Sequence, residues 1–193
     1  MKLWTAFALK LAILLLLNPL SLSYPTPVHH RRTVDPEILT NQMRHVLKLT
    51  LDLLENHVIA TDIERRFKSL PTVPSKATDL NSLEVNSTLA QLHADLLLFD
   101  LHFDWLNSVT KRHENAALAK LGELMHLLKA LRVSLQRQMS KLEVTPLRAS
   151  SPSLPSIPVS QWEVVQLSLE LLQQFRLYCD WTVRVLLSLK LKN

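Results

Sequence analysis

The chain contains one glycine, Gly122, and one cysteine, Cys179, in 193 residues. Hairpins and tight strand–helix turns rely on glycine at positive φ, so this scarcity argues against a β-rich or α/β fold. It also removes the glycine-rich loops that cradle phosphates. A single cysteine cannot form an intramolecular disulfide, so stability must come from apolar packing. The sequence has no His-Glu-x-x-His, no Cys/His zinc spacing and no Gly-x-Ser-x-Gly nucleophile motif. No catalytic residue, metal ligand or cofactor is expected.

Charge of one sign is also scarce. Lys and Arg number 22 against 17 Asp and Glu, and the two signs alternate along the chain. Nucleic-acid binders concentrate Lys and Arg on one face, so no nucleic-acid partner is expected. After Lys2, the apolar run Leu11–Leu17 is broken by Asn18-Pro19 and followed by the small residues of Ser21-Leu22-Ser23. This is the layout of a secretory signal peptide, residues 1–23, with cleavage after Ser23. Lys10 interrupts the run, which falls short of the ~20 residues that span a bilayer, so no membrane insertion is expected. Residues 24–193 then form one domain, with 20 basic and 17 acidic residues once Lys2 and Lys10 are removed.

Four segments of that domain carry helical periodicity. Asp35-Pro36-Glu37 opens the first with an N-cap, a first-turn proline and an acid at the positive end of the dipole. Leu39, Met43, Val46, Leu47, Thr50, Leu53 and Leu54 form its stripe, which fades after Phe67. The second is expected over Thr88–Thr110, with Leu89, Leu92, Leu96, Phe99, Phe103 and Leu106 inward. A polar break at 111–115 separates it from the third, over Ala116–Glu143, with a stripe from Leu121 to Leu142. Pro146, Pro152, Pro155 and Pro158 hold the connector 145–159 extended. Ser160-Gln-Trp-Glu163 is a capping box that starts the last helix, which runs to Leu191.

The short break makes the second and third helices antiparallel neighbours. The other two connections have about 20 and 15 residues. At ~3.3 Å per residue, even 15 residues reach about 50 Å, against about 42 Å for a 28-residue helix. The expected fold is therefore all-α, a long-chain four-helix bundle, up-up-down-down with two long crossover loops.

The last helix has more apolar residues than one buried stripe needs. Val164, Leu171, Leu172, Phe175, Tyr178, Cys179, Leu186 and Leu189 cluster on one side. Leu177, Asp180, Trp181, Arg184 and Leu191 fall on the other, where apolar residues beside an arginine suit an interface. Two plainer readings stand beside it: Asp180 and Arg184 as an ordinary i, i+4 pair, and Trp181 buried by a loop. Trp162 is either a staple for the proline-rich connector or a protruding hot spot. On the third helix Ala130, Val133, Arg137 and Lys141 suit a flat contact or a solvated face. Asn86-Ser87-Thr88 is a glycosylation sequon in a chain expected to be secreted. Cys179 sits in the core stripe as a buried thiol, with an intermolecular disulfide as the other reading. His57 falls on the first helix's apolar face, and His29–Arg32 reads as a flexible basic tail.

Several of these segments resemble the interleukin-11 family of interleukin-6-type cytokines. They are Leu92–Leu97 (LHADLL) leading to Trp105-Leu106, Gly122, Leu135–Leu142 (LQRQMSKL), the proline-rich connector, Trp162, and Asp180–Lys190 (DWTVRVLLSLK). The resemblance implies a non-enzymatic, extracellular signal with three receptor-binding surfaces. The late part of the last helix and the end of the first loop would bind a dedicated alpha receptor, through Leu177, Asp180, Trp181 and Arg184. Two surfaces would bind the shared receptor glycoprotein 130, one at Trp162 and one on the first and third helices with Val133 and Arg137. Receptor clustering would activate Janus kinases and STAT transcription factors, and the free protein would be a monomer. Two alternatives are another interleukin-6-type cytokine with a different alpha receptor, and a helical lipid-binding secreted protein. The second is disfavoured by the lack of an 11- or 22-residue repeat.

Overall fold

The computed structural model describes residues 35–55, 67–73, 83–112, 120–148, 151–154 and 160–192. All lie in the compact unit Arg32–Asn193. The expected signal peptide, the basic tail at 29–32 and His57 fall outside the described residues. Four helices follow one another, α1 (Pro36–Glu55), α2 (Val85–Arg112), α3 (Leu121–Lys141) and α4 (Gln161–Lys192), with no strand among the described residues.

The expected start signals form. Ile38 N–H donates to Asp35 Oδ1 at 3.4 Å, closing the first turn of α1. Ser160 and Glu163 cap one another reciprocally, at 3.2 Å from the Glu163 amide and 3.4 Å from the Ser160 amide. Other boundaries move. α1 is described to Glu55, residues 56–66 lie outside the description, and Phe67 is already non-helical. α2 starts three residues before Thr88, because the Glu84 carbonyl accepts both the Thr88 amide and the Ser87 hydroxyl. It also runs through Lys111 and Arg112, the first two residues of the expected polar break.

The end of α3 and the lone glycine make an instructive pair. Glu143 has φ 60°, with its N–H bonded to the Ser140 carbonyl while the Val144 N–H reaches Met139. This is a Schellman ending with glutamate where glycine is usual, and left-handed backbone costs a side-chain-bearing residue about 1–2 kcal/mol. Gly122, by contrast, lies in the first turn of α3, and a Cβ there would meet nothing within 4 Å. We expect Gly122→Ala to stabilise by up to about 1 kcal/mol and Glu143→Gly by about 1 kcal/mol, near-additively, in urea unfolding.

Cross-helix bonds set the directions. Asp35 pairs with Gln138, and Gln42 with Ser134, so α1 and α3 run oppositely. Lys190 reaches Glu37 at 2.9 Å, which does the same for α4 and α1. Asp100 with Arg132, and Asp104 with Lys129, make α2 and α3 antiparallel. Asp95 with Tyr178, and Phe103 with Phe175, make α2 and α4 antiparallel. α1 and α2 therefore point one way, and α3 and α4 the other. Each helix packs on its two antiparallel neighbours and the parallel pairs hold the diagonals. This is the expected up-up-down-down bundle, in which both parallel pairs are joined by crossovers along its length.

The stripes meet in one core. Leu39, Met43, Leu53, Leu92, Phe99, Leu128, Leu172 and Phe175 are almost entirely buried. Phe175 lies between Phe99 and Phe103, with ring centroids at 4.8 and 5.0 Å, and Tyr178 lies 5.0 Å from Phe99.

Candidate receptor-binding surfaces

α4 has one buried and one outward side, as its surplus of apolar residues required. On the outward side Leu177 is 51% exposed, and Leu187, two to three turns further on, is 37% exposed. Between them Arg184 donates to Asp180 at 2.6 Å, with both side chains at least half exposed. The plain i, i+4 pair is thus formed, but it is framed by exposed leucines. Such a pair contributes only a few tenths of a kcal/mol to folding, so both residues remain available to a partner. Trp181 is half-buried and packs on the core beside Tyr178, at 5.8 Å between ring centroids. It is neither covered nor fully proud.

A buried polar link stands behind that tryptophan. Tyr178 donates its hydroxyl to Asp95 at 3.3 Å, and the Gln91 amide donates to the other carboxylate oxygen at 2.8 Å. Burial raises the Asp95 pKa against the pull of these two bonds. It also lifts the Tyr178 phenol well above its ordinary value, so the phenol stays a donor. Asp95 was not a candidate from sequence, because a polar residue within LHADLL is indistinguishable there from a solvated one. Leu187 lay within reach, since it continues the spacing of Leu177, Asp180 and Arg184.

A second face lies along the α1/α3 seam. Ala130, Val133, Arg137 and Lys141 are all exposed, Val133 to 47%. From α1 the structure adds Ile38, at 48%. The Asp35–Gln138 and Gln42–Ser134 bonds bring the α1 and α3 faces together. Only knowledge of which helices pack could have grouped Ile38 with the third helix.

At the opposite end of α4, Trp162 is 55% exposed in the first helical turn. At that exposure it does not staple the connector to the bundle. Two turns further along, Glu170 is 3% exposed, because Phe67 of the first loop covers it and donates its amide to Glu170 Oε1 at 3.1 Å. A cleft of about 280 Å³ lies between residues 67–72 and the Glu170–Gln174 stretch.

Asn86, of the sequon, is exposed in the first turn of α2, within the helix and not before it. Cys179 is free and fully buried, and burial pushes its thiol well above the ordinary range. That suits the inert core reading. No group of His, Cys, Asp or Glu suited to hold a metal occurs among the described residues. None of the described helices is long and apolar enough to cross a membrane.

Four long helices in this topology, with exposed apolar and arginine-bearing faces in place of a catalytic cleft, define a long-chain helical cytokine. The family model described as Interleukin 11 matches residues 27–193. Interleukin-11 from Macaca fascicularis is 31% identical over 183 residues, covering 86% of this chain and 87% of its own. The chain belongs to the interleukin-11 family. This family consists of cytokines, proteins that act by binding and not by catalysis.

Proposed function

We propose that the protein is secreted after cleavage behind Ser23, binds an interleukin-11-type alpha receptor and clusters glycoprotein 130 to activate Janus kinase and STAT signalling. Leu177, Asp180, Trp181 and Arg184 form the alpha-receptor surface, with Leu187 extending it. Trp162 forms one glycoprotein 130 surface, and Val133 and Arg137 with Ile38 form the other. Asn86 carries a glycan, and the free protein is a monomer.

The observation that carries this reading is the placing of two exposed patches on one helix. Trp162 and Arg184 are 22 residues apart, or roughly 33 Å at 1.5 Å per residue. A receptor footprint of about 800 Å² on one partner is of similar breadth, so two different receptors can occupy α4 side by side. Leucine, tryptophan and arginine within one patch are the residue types that concentrate binding energy when water is excluded.

The test is binding to an immobilised interleukin-11 alpha receptor, with STAT phosphorylation measured in cells carrying both receptors. Arg184→Ala is expected to weaken alpha-receptor binding by about 30-fold or more, in line with a loss of about 2 kcal/mol at a hot spot. Trp162→Ala is expected to bind the alpha receptor like the wild type yet lose signalling. Unfolding curves on both variants exclude loss of fold. A wild-type protein that does not bind this receptor would return the assignment to other interleukin-6-type cytokines.

A further inference from the structure

The clustered loop residues at the Trp162 end of the bundle meet at a histidine that none of the receptor surfaces uses. His102 of α2 is fully buried. Its Nδ1 lies 2.7 Å from the Leu98 carbonyl, which can only accept, so Nδ1 carries the proton. Nε2 is then the acceptor, and the Ser69 hydroxyl donates to it at 3.0 Å. The Ser69 oxygen in turn accepts the Ser153 amide at 3.0 Å. Phe67 closes over the ring edge-on, at 5.4 Å between centroids, and rests against Trp105 at 5.7 Å. One imidazole thus joins α2, the first loop and the proline-rich connector, segments more than thirty residues apart in sequence.

We propose that His102 is a pH-sensitive latch: its neutral ring holds segments 67–73 and 151–154 against the end of the bundle, and a second proton releases them.

The force behind release is charge. Hydrogen bonding alone would permit the protonated ring, because Ser69 could turn its hydroxyl to the Ser153 carbonyl, 3.2 Å away, and accept from Nε2. A cation at a fully buried site, however, needs a carboxylate partner. Each charged group facing this end is engaged elsewhere or exposed. Glu170 of α4 accepts the Phe67 amide. On α2 itself, Asp100 pairs with Arg132 and Asp104 with Lys129, both on α3. Lys68 of the loop is exposed and repels a second cation, and 151–154 carries no charge. Burial lowers the His102 pKa from 6.5, with the Leu98 carbonyl opposing weakly. A group with a depressed folded-state value supports the docked state fully above 6.5 and loses that support as pH falls below it. Opening the segments lets water reach the ring, which removes the penalty. Trp162 begins α4 at this end, so release would remodel the surface assigned to glycoprotein 130. That consequence rests on the reading above; the latch does not.

Two amides report the latch directly: Ser153, bonded to Ser69, and Phe67, bonded to Glu170. Their hydrogen-exchange protection factors are to be measured by NMR on the secreted chain at about pH 7 and about pH 5.5, the range in which histidine switches act. Both are expected to fall by about tenfold or more on acidification, equivalent to one unit of histidine pKa shift, while core amides of α4 stay protected. His102→Gln, which cannot titrate, is expected to abolish the pH dependence. Protection that survives while the His102 ring titrates, or an equal loss in His102→Gln, overturns the proposal. His93 also has a lowered pKa, through burial and Arg132, but it lies about 13 Å back along α2 and leaves these two amides untouched. Should His102→Gln not fold, Ser69→Ala decides. It is expected to unprotect Ser153 at both pH values and raise the His102 midpoint towards 6.5. An unmoved midpoint means that ring and loop are not coupled.

Discussion

Phe175→Ala is expected to destabilise the bundle by about 4 kcal/mol, the largest single loss among the changes considered. The Phe175 ring is fully buried and contacts two phenylalanines of α2, Phe99 at 4.8 Å and Phe103 at 5.0 Å. Removing it deletes its own transfer energy and leaves a cavity between two rigid aromatic rings that cannot collapse freely. In a domain of this size the melting temperature is expected to fall by roughly 10 °C, and the urea midpoint to drop with the slope unchanged. Phe175→Leu fills most of the void and is expected to recover more than half of the loss. A loss below about 1 kcal/mol for the alanine variant would mean that α2 and α4 do not pack as described.

The second large effect concerns charge. Arg132→Ala is expected to cost about 3 kcal/mol, because it leaves the Asp100 carboxylate buried without its partner. The Asp100 side chain is 6% exposed and that of Arg132 is 22% exposed. Burial already raises the Asp100 pKa, and Arg132 opposes that rise most strongly. Without the guanidinium the carboxyl is driven further towards its neutral form. The variant is therefore expected to recover part of its stability as pH falls through the raised Asp100 value. Replacing both residues, as in Asp100→Leu with Arg132→Met, removes the charges together and is expected to come within about 1 kcal/mol of the wild type. Chemical unfolding of the two single variants and the double variant closes the cycle. If the double variant is as unstable as Arg132→Ala, the loss came from packing and not from the uncompensated charge.

Both changes act on positions whose environment sequence describes unequally. Phe175 was assigned to the core by spacing alone, and Asp100 was not singled out at all. A hydrophobic stripe reports its own burial, because a helix repeats every 3.6 residues and apolar side chains leave water wherever a face is covered. A buried aspartate has no such signature, since its burial depends on an arginine 32 residues away on another helix.

The same division runs through the surfaces. Trp162, Leu177 and Arg184 were legible because they sit where the apolar stripe does not, and the structure leaves all three exposed. Trp181 occupies an intermediate place that spacing could not assign, since the packing of Tyr178 and the Asp95 link behind it settle how far the indole stands out.

By itself, the sequence determined four amphipathic helices, the caps of α1 and α4, the identity of nearly every core residue, and loops long enough for the crossovers. These are properties of neighbouring residues, written in the helical repeat and in the first turn. Tertiary structure decided which outward residues stay outward. Glu170 belongs by spacing to the exposed side of α4, yet Phe67 covers it, and His102 acquires partners from Ser69 and, through it, Ser153. The physical reason is range: burial by a loop joins residues scores of positions apart, and a local pattern carries no record of what folds back over it.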